Sequence, residues 1–220
     1  IGAHYAEKED WLNAVSSLQR SMSVIDKAAP DVQVQAHATL GRSYAKLKKE
    51  GDAKNEFAKV RGLWKDSNAQ IAKIKGAYEG EDDAQKQRRV GRALTAVGEG
   101  YFAGAEELKR TTVDPIKFPE YKGSGTKEDV SKHINTKVVE WLKKKREAIS
   151  KVAPEYEKIL KLEPEPPPRW VIAAGSRVGL MYGDFVDEFR RAPIPKAWEK
   201  DPEIRGAYFQ SLDEKSEPLK

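Results

Sequence analysis

Cysteine is missing from this 220-residue chain, and long apolar runs are missing as well. Without cysteine the chain has no disulfide, no thiolate zinc site and no cysteine nucleophile. Histidine is scarce too, and His4, His37 and His133 have no metal-binding partners near them in sequence. We interpret His37 as a packing residue between helices. The sequence therefore predicts no enzyme activity, no bound cofactor and no metal ion.

No stretch of the sequence has the pattern of a signal peptide or of a membrane-spanning segment. The chain starts at Ile1 and stops at Lys220, in both cases within a helical pattern. We expect it to be a piece of a longer protein, so the missing signal says nothing about localisation.

The composition suits a helical protein with much surface per residue. Hydrophobic residues make up 39% and charged residues 34%, and the formal net charge is +5. Because both signs are mixed along the chain, this charge argues only weakly for a nucleic-acid partner. A solenoid has such a balance, since each repeat contacts only its neighbours.

An internal repeat organises the first part of the chain. Small and aromatic residues recur 39 residues apart as four pairs, Gly2 and Gly41, Tyr5 and Tyr44, Ala14 and Ala53, and Leu18 and Phe57. A glycine lets a partner helix approach closely, and an aromatic residue three positions later lies on the same helical face. The pattern predicts helix–turn–helix units that pack small residues against large ones.

The order of small residue, aromatic residue, turn, small residue and aromatic residue resembles the tetratricopeptide repeat (TPR) over roughly residues 2–64. The usual TPR period is about 34 residues, so about five extra residues lie between Ile25 and Val32. His37 stands where the family usually has tryptophan, and Lys65 where it usually has its final proline. The resemblance implies antiparallel helix hairpins stacked as a right-handed α-solenoid.

In TPR proteins the concave surface commonly binds peptides. The resemblance places Gln35, Ala38 and Arg42 on that surface, and we take them as candidate partner-binding residues. They do not reproduce the family's carboxylate clamp, so capture of an acidic C-terminus is not expected. Plain solvent exposure is the alternative for Gln35 and Arg42.

Helical periodicity continues through the rest of the chain. We predict helices over residues 11–27, capped by Asp10, and 32–49, with Gly51 as a C-cap. One long helix is expected from Asp52 to Tyr78, and a second over 84–110 returns antiparallel to it. A long loop over 111–125 follows, which Phe118 and Tyr121 are expected to pin to the helices.

A capping box at Thr126–Asp129 opens the next predicted helix, which extends to about Leu162. It is either kinked at Pro154 or divided by a turn over residues 151–153, with the proline opening a new helix. The segments 1–66, 67–163 and 164–220 are thus predicted as TPR-like repeats, an extended helical hairpin with a long helix, and a proline-rich linker with a packing helix. We expect them to form one continuous solenoid.

Glycines recur every four residues in the last long helix, predicted over 169–190, at Gly175, Gly179 and Gly183. Membrane helices show such stripes, but this span is too short and carries Arg177 in its middle. We predict close packing on another helix instead, with the stripe of Ala96, Gly100 and Gly104 as the candidate partner. Pro193 and Pro195 are expected to end this region, Trp198 to pack back on it, and a last helix to start near Pro202.

Two charged segments have weak functional patterns. The stretch 122–127 resembles a phosphate-binding loop but lacks its spacing and preceding strand, so we predict a flexible turn. The basic run Lys143–Arg146 is predicted to be a solvated helix face. Binding of nucleic acid or anionic lipid by this run stays open as the alternative function.

The second half, roughly residues 84–220, resembles the region that follows TPRs in deltaproteobacterial envelope proteins. These include TPR components of the myxobacterial adventurous gliding-motility machinery. The resemblance rests on residues 118–123, 133–138, 167–179 and 192–195. It implies a periplasmic, non-catalytic scaffold or adaptor that binds other proteins of an envelope complex, with no small-molecule substrate and no membrane span in this part.

Overall fold

The computed structural model describes residues 1–194, 198–199 and 202–216, with only the backbone described for 211–216. This part of the chain contains helices, turns and no strand, so the all-α prediction is confirmed. The helices are α1 (Gly2–Glu7), α2 (Trp11–Arg20), α3 (Met22–Ile25), α4 (Pro30–Lys46), α5 (Glu50–Leu63), α6 (Ser67–Ala77), α7 (Asp83–Thr112), α8 (Lys127–His133), α9 (Val139–Glu157), α10 (Pro168–Arg190) and α11 (Pro202–Ser216). A π-helical turn over Ile134–Val138 joins α8 to α9, and a 3₁₀ turn over Lys158–Lys161 follows α9.

The chain forms two compact units. Unit 1 holds Ile1–Glu107 and Pro154–Gly175. Unit 2 holds Leu108–Ala153 and the described residues from Ser176 onward.

In unit 1 the same tight turn occurs twice, 39 residues apart. Glu9 and Lys48 have φ of 58° and 59°, the left-handed conformation that ends many helices. The amide that follows each of them, of Asp10 or Lys49, donates to the carbonyl of Tyr5 or Tyr44 at 2.9 Å. The turns therefore join α1 to α2 and α4 to α5 in the same way.

Glycine contacts recur with the same spacing. A methyl group at Gly2 would lie 2.5 Å from Leu18, and one at Gly41 would lie 2.9 Å from the Phe57 ring. In both hairpins the missing side chain lets the second helix approach closely. Leu18 and Phe57 belong to one buried cluster with Val15, Ala36, Leu40, Tyr44 and Ala53.

Three helix boundaries differ from the prediction. The predicted helix over 11–27 is interrupted at Ser21, between α2 and α3. Gly51 lies in the first turn of α5, and Lys48 takes the left-handed conformation expected there. The long helix expected from Asp52 to Tyr78 was wrong, because α5 ends at Leu63 and the side chain of Asp66 caps α6 by accepting from the Ala69 amide at 2.9 Å.

The glycine stripe of α7 packs within unit 1 on α5. A methyl group at Gly100 would lie 2.9 Å from Val60, and one at Gly104 would lie 2.7 Å from the Arg61 guanidinium. Arg61 also donates to the carbonyl of Gly100 at 2.6 Å. α5, and not the glycine stripe of α10, is therefore the partner of this stripe.

In unit 2 an aromatic cluster forms the core. The indole of Trp141 lies 5.0 Å from the ring of Phe118, 5.3 Å from Phe185 and 6.3 Å from Phe189, measured between ring centroids. The Phe118 contact attaches the long loop to α9. Trp198 donates to the carbonyl of Gly125 at 2.7 Å, while Pro195, expected to break the chain, lies outside the described residues.

Pro154 lies inside α9, which runs without interruption to Glu157. The alternative of two helices separated by a turn over 151–153 is therefore wrong. The irregular backbone lies earlier, at the π-helical turn over Ile134–Val138.

Candidate partner-binding surfaces

Of the three residues predicted to bind a partner on α4, only Arg42 is exposed. Ala38 is 1% exposed and cannot contact a partner, so its predicted role was wrong. Gln35 is half-buried, and its side-chain amide donates to the carbonyl of Asp31 at 2.8 Å. α4 is the central helix of unit 1 and is surrounded by its own neighbours.

Arg42 is already engaged inside unit 1. Its guanidinium Nε donates to Glu99 of α7 at 2.7 Å, and an NH2 group of the same guanidinium binds the second carboxylate oxygen. Hydrogen bonding to Glu99 outweighs the effect of burial and raises the pKa of Arg42. The bidentate pair, which is the strong form of this interaction, fixes the side chain of Arg42. That side chain is still 46% exposed.

His37 is buried between helices, close to two carboxylates. Its Nδ1 lies 2.6 Å from Glu56 of α5, and its Nε2 lies 3.6 Å from Asp26. Burial raises the pKa of Glu56, but the hydrogen bonds from His37 and Lys59 outweigh it, so the net pKa is lowered. No group of three metal-binding side chains occurs among the described residues.

One residue of the basic run on α9 is buried and the other three are exposed. Lys143, Lys144 and Arg146 are exposed, whereas Lys145 is only 4% exposed. Lys144 pairs with Glu140 at 2.7 Å. The predicted solvated face was therefore wrong at Lys145, because the sequence gives no sign of its distant partners Ile116 and Glu188.

In the stretch 122–127, which resembles a phosphate-binding loop, a nearby carboxylate accepts the backbone hydrogen bond that a phosphate would accept. Asp129 accepts hydrogen bonds from the amide of Ser124 at 2.7 Å and from the hydroxyl of Tyr121 at 3.0 Å. The hydrogen bond from the Ser124 amide contributes most to lowering the pKa of Asp129. Thr126 caps α8 as predicted, by accepting from the Asp129 amide at 3.3 Å.

The glycine stripe of α10 faces outward, so the predicted close packing was wrong. Gly175, Gly179 and Gly183 are exposed, and a methyl group on any of them would meet no described atom within 4 Å. Tyr182, next to the stripe, is exposed as well. The physical reason is that the opposite face of α10 carries the larger apolar side chains and is the one that is buried.

In unit 2 the two faces of α10 differ clearly in burial. Met181, Phe185 and Phe189 of α10 are buried in the core, while Gly179, Leu180 and Gly183 lie on the outside. Leu180 is 52% exposed. We call Gly179, Leu180 and Gly183 the outer face of α10.

A cleft of about 540 Å³ opens elsewhere in unit 2. One wall is the segment 109–118, with Lys109 and Lys117, and the other is α10, with Asp184 and Glu188. Lys145 lines the cleft and binds both walls, donating to the carbonyl of Ile116 at 2.9 Å and lying 3.1 Å from a carboxylate oxygen of Glu188. Sequence analysis missed this site.

No helix in the part of the chain that the structure describes is long and apolar enough to cross a membrane. Comparison with known proteins adds no relative, because no family model, no curated protein and no solved structure matches the chain.

Proposed function

We propose that this chain is a non-catalytic scaffold or adaptor that binds other proteins in a multiprotein complex. The outer face of α10 is the observation that carries this proposal. A glycine inside a helix lowers its stability by about 1 kcal/mol relative to alanine. A side chain at Gly179 or Gly183 would meet open space, so no close contact within the described chain compensates for that loss. Glycine at these positions would allow a helix of a partner protein to approach the backbone of α10 closely.

Leu180 adds apolar area beside the two glycines. Its exposed side chain would lose water on docking, and burial of a leucine contributes about 1.5–3 kcal/mol. Backbone surface next to an apolar side chain is suited to a helix of a protein partner.

The sequence resemblances support the wider setting of this proposal. The repeated hairpin of unit 1 resembles a TPR, a repeat that typically serves protein–protein interaction. The resemblance of the second half supports a place in a periplasmic envelope complex, of the gliding-motility type. The burial of Ala38 and the pairing of Arg42 with Glu99 favour α10 over α4 as the proposed binding surface.

Photo-crosslinking at two matched leucines tests the proposal. Leu180 and Leu12 are 52% and 67% exposed, so a photoreactive phenylalanine derivative fits at either position. The full chain carrying it at Leu180 should crosslink to a specific protein in an extract of its native cell envelope. The same group at Leu12 is the control and should not give that product.

Equal products from both positions, or none from Leu180, would contradict the proposal. The rival function has its own assay, a salt titration of binding to DNA and to anionic vesicles. Tight, steeply salt-dependent binding that is lost on neutralising Lys143, Lys144 and Arg146 would replace the scaffold proposal with a polyanion-binding one.

A further inference from the structure

The last described helix of unit 2, α11, is held to its neighbours by few side chains. Within residues 202–210, where the structure describes the side chains, only Tyr208 is buried, and Ile204 and Phe209 are half-buried. In contrast, α10 buries a methionine and two phenylalanines in the core of the same unit. An element with few buried apolar contacts opens locally at a lower free energy than the rest of a fold. We therefore expect α11 to detach before the core helices do.

The sequence of α11 adds little stability of its own. Gly206 lies inside the helix, and a methyl group there would meet no described atom within 4 Å. Unlike Gly41, it serves no close contact, so it only weakens the helix. A helix of 15 residues is marginal on its own in water. The helix therefore depends on the docking of its apolar side chains.

Two aromatic side chains attach this part of the chain to the rest of unit 2. The indole of Trp198 donates to the carbonyl of Gly125 at 2.7 Å, and the hydroxyl of Tyr208 donates to the carbonyl of Pro193 at 3.3 Å. Their rings meet edge to face, with centroids 6.3 Å apart. Both side chains are buried. We call Trp198 together with α11 the strap.

Beneath the strap lies an apolar groove. Tyr208 shares the lining of a small cavity with Phe118 and Pro119 of the long loop, Val130 of α8 and Ile134 of the π-helical turn. Val130 and Ile134 are buried. Removing the Tyr208 ring from this lining would expose apolar surface to water. Contiguous exposed apolar surface of this kind is typical of sites that bind other proteins.

We propose that the strap is an autoinhibitory contact, which a helix of a partner protein displaces in order to dock in the groove through an aromatic side chain. The present occupant defines the chemistry of the partner, because the groove already holds a helix by the ring of Tyr208. Docking of a helix in an apolar groove is a common mode of recognition. The inference rests on the proposed protein-binding function and assigns it a second, regulated surface, separate from the outer face of α10.

Hydrogen exchange in the full chain tests whether the strap opens. Amides of α11 should exchange at least tenfold faster than those of α10. Gly206→Ala strengthens the helix and should slow exchange in α11 by up to about fivefold, whereas Tyr208→Ala should speed it further. Tyr182→Ala removes an exposed tyrosine of α10, so it is the matched control and should leave exchange in α11 unchanged.

A peptide that copies residues 198–216, with blocked ends, tests the groove in the place of a partner helix. In calorimetry it should bind the full chain carrying Tyr208→Ala at least tenfold more tightly than the unmodified chain, because the attached strap competes at a high effective concentration. The peptide with its own Tyr208→Ala change should bind at least tenfold more weakly. Gly206→Ala in the full chain, a change in open space, should weaken binding of the peptide by up to about fivefold.

Either of two results would overturn the proposal. One is exchange in α11 that is as slow as in α10, and the other is peptide binding that is absent or equal for the Tyr208→Ala and unmodified chains. Crosslinking at Leu180 is independent of both. A specific crosslink together with a failed peptide test would reject the strap and leave the scaffold function standing.

Discussion

At the residue scale, glycine has two opposite roles in this protein. Gly41 has the Phe57 ring against its backbone, whereas Gly62, on the outer side of the neighbouring helix, has nothing within 4 Å. At Gly41 there is no room for a side chain. At Gly62 there is room, and glycine only adds the entropic cost that it has in any helix.

Gly41→Ala should therefore destabilise unit 1 by about 1–2 kcal/mol, because overpacking a tight contact outweighs the gain in helix propensity. Gly62→Ala is the matched control and should stabilise by up to about 1 kcal/mol. Urea unfolding followed by circular dichroism measures both changes. A stabilised Gly41→Ala variant would show that the close approach of α4 and α5 is not as described.

The lowered pKa of Glu56 predicts that the stability of the fold depends on pH. Its pKa is lowered in the folded chain, so its contribution to stability is present above the ordinary glutamate value of 4.5 and is lost as pH falls through the lower folded value. The unfolding free energy of the unmodified chain minus that of Glu56→Gln should shrink as pH decreases below about 4.5. A difference that stays constant between pH 6 and pH 3 would refute the His37–Glu56 interaction.

At the element scale, the break between α5 and α6 shows what periodicity can and cannot predict. Apolar residues keep a three–four spacing through this region because Val60, Trp64 and Ile74 are all buried, although two separate helices carry them. A signal for the break was present in the sequence, since Asp66 is a favourable N-cap residue. Periodicity reports which face is buried, and caps report where a helix begins.

Asp66→Ala should cost about 1 kcal/mol of unfolding free energy, as is typical for loss of an N-cap. Asp10→Ala removes the equivalent cap of α2, where Asp10 accepts from the Asn13 amide at 3.2 Å, and should have a similar effect. Thermal and urea unfolding of the two variants provide the comparison. An Asp66→Ala variant as stable as the unmodified chain would favour one continuous helix over 52–78.

The turns between paired helices were better predicted than the long-range contacts. The 39-residue spacing was visible in the sequence, and the structure places Glu9 and Lys48 in equivalent turns at that spacing. Arg42 and Glu99 are 57 residues apart, and Lys145 and Glu188 are 43 apart. Single-sequence patterns carry no information on such pairs, so the pairing of Arg42 with Glu99 and the cleft beside Lys145 were not predicted.

At the scale of the whole molecule, the described part of the chain is all-helical. The all-α fold follows from periodicity and composition. Which face of α10 is buried does not follow from the sequence, since a glycine stripe alone is compatible with burial or with exposure. α10 carries both a buried aromatic face and an exposed glycine face, and only the three-dimensional arrangement tells them apart.

Gly179→Leu in the full chain tests this account most directly, by measuring thermal stability and partner association on the same preparation. The side chain points to open space, so the melting temperature should stay the same or rise slightly. Quantitative pull-down from the native envelope should show loss of the protein that crosslinks at Leu180. A lowered melting temperature with unchanged association would contradict the account, because it would mean that the glycines serve packing within the chain.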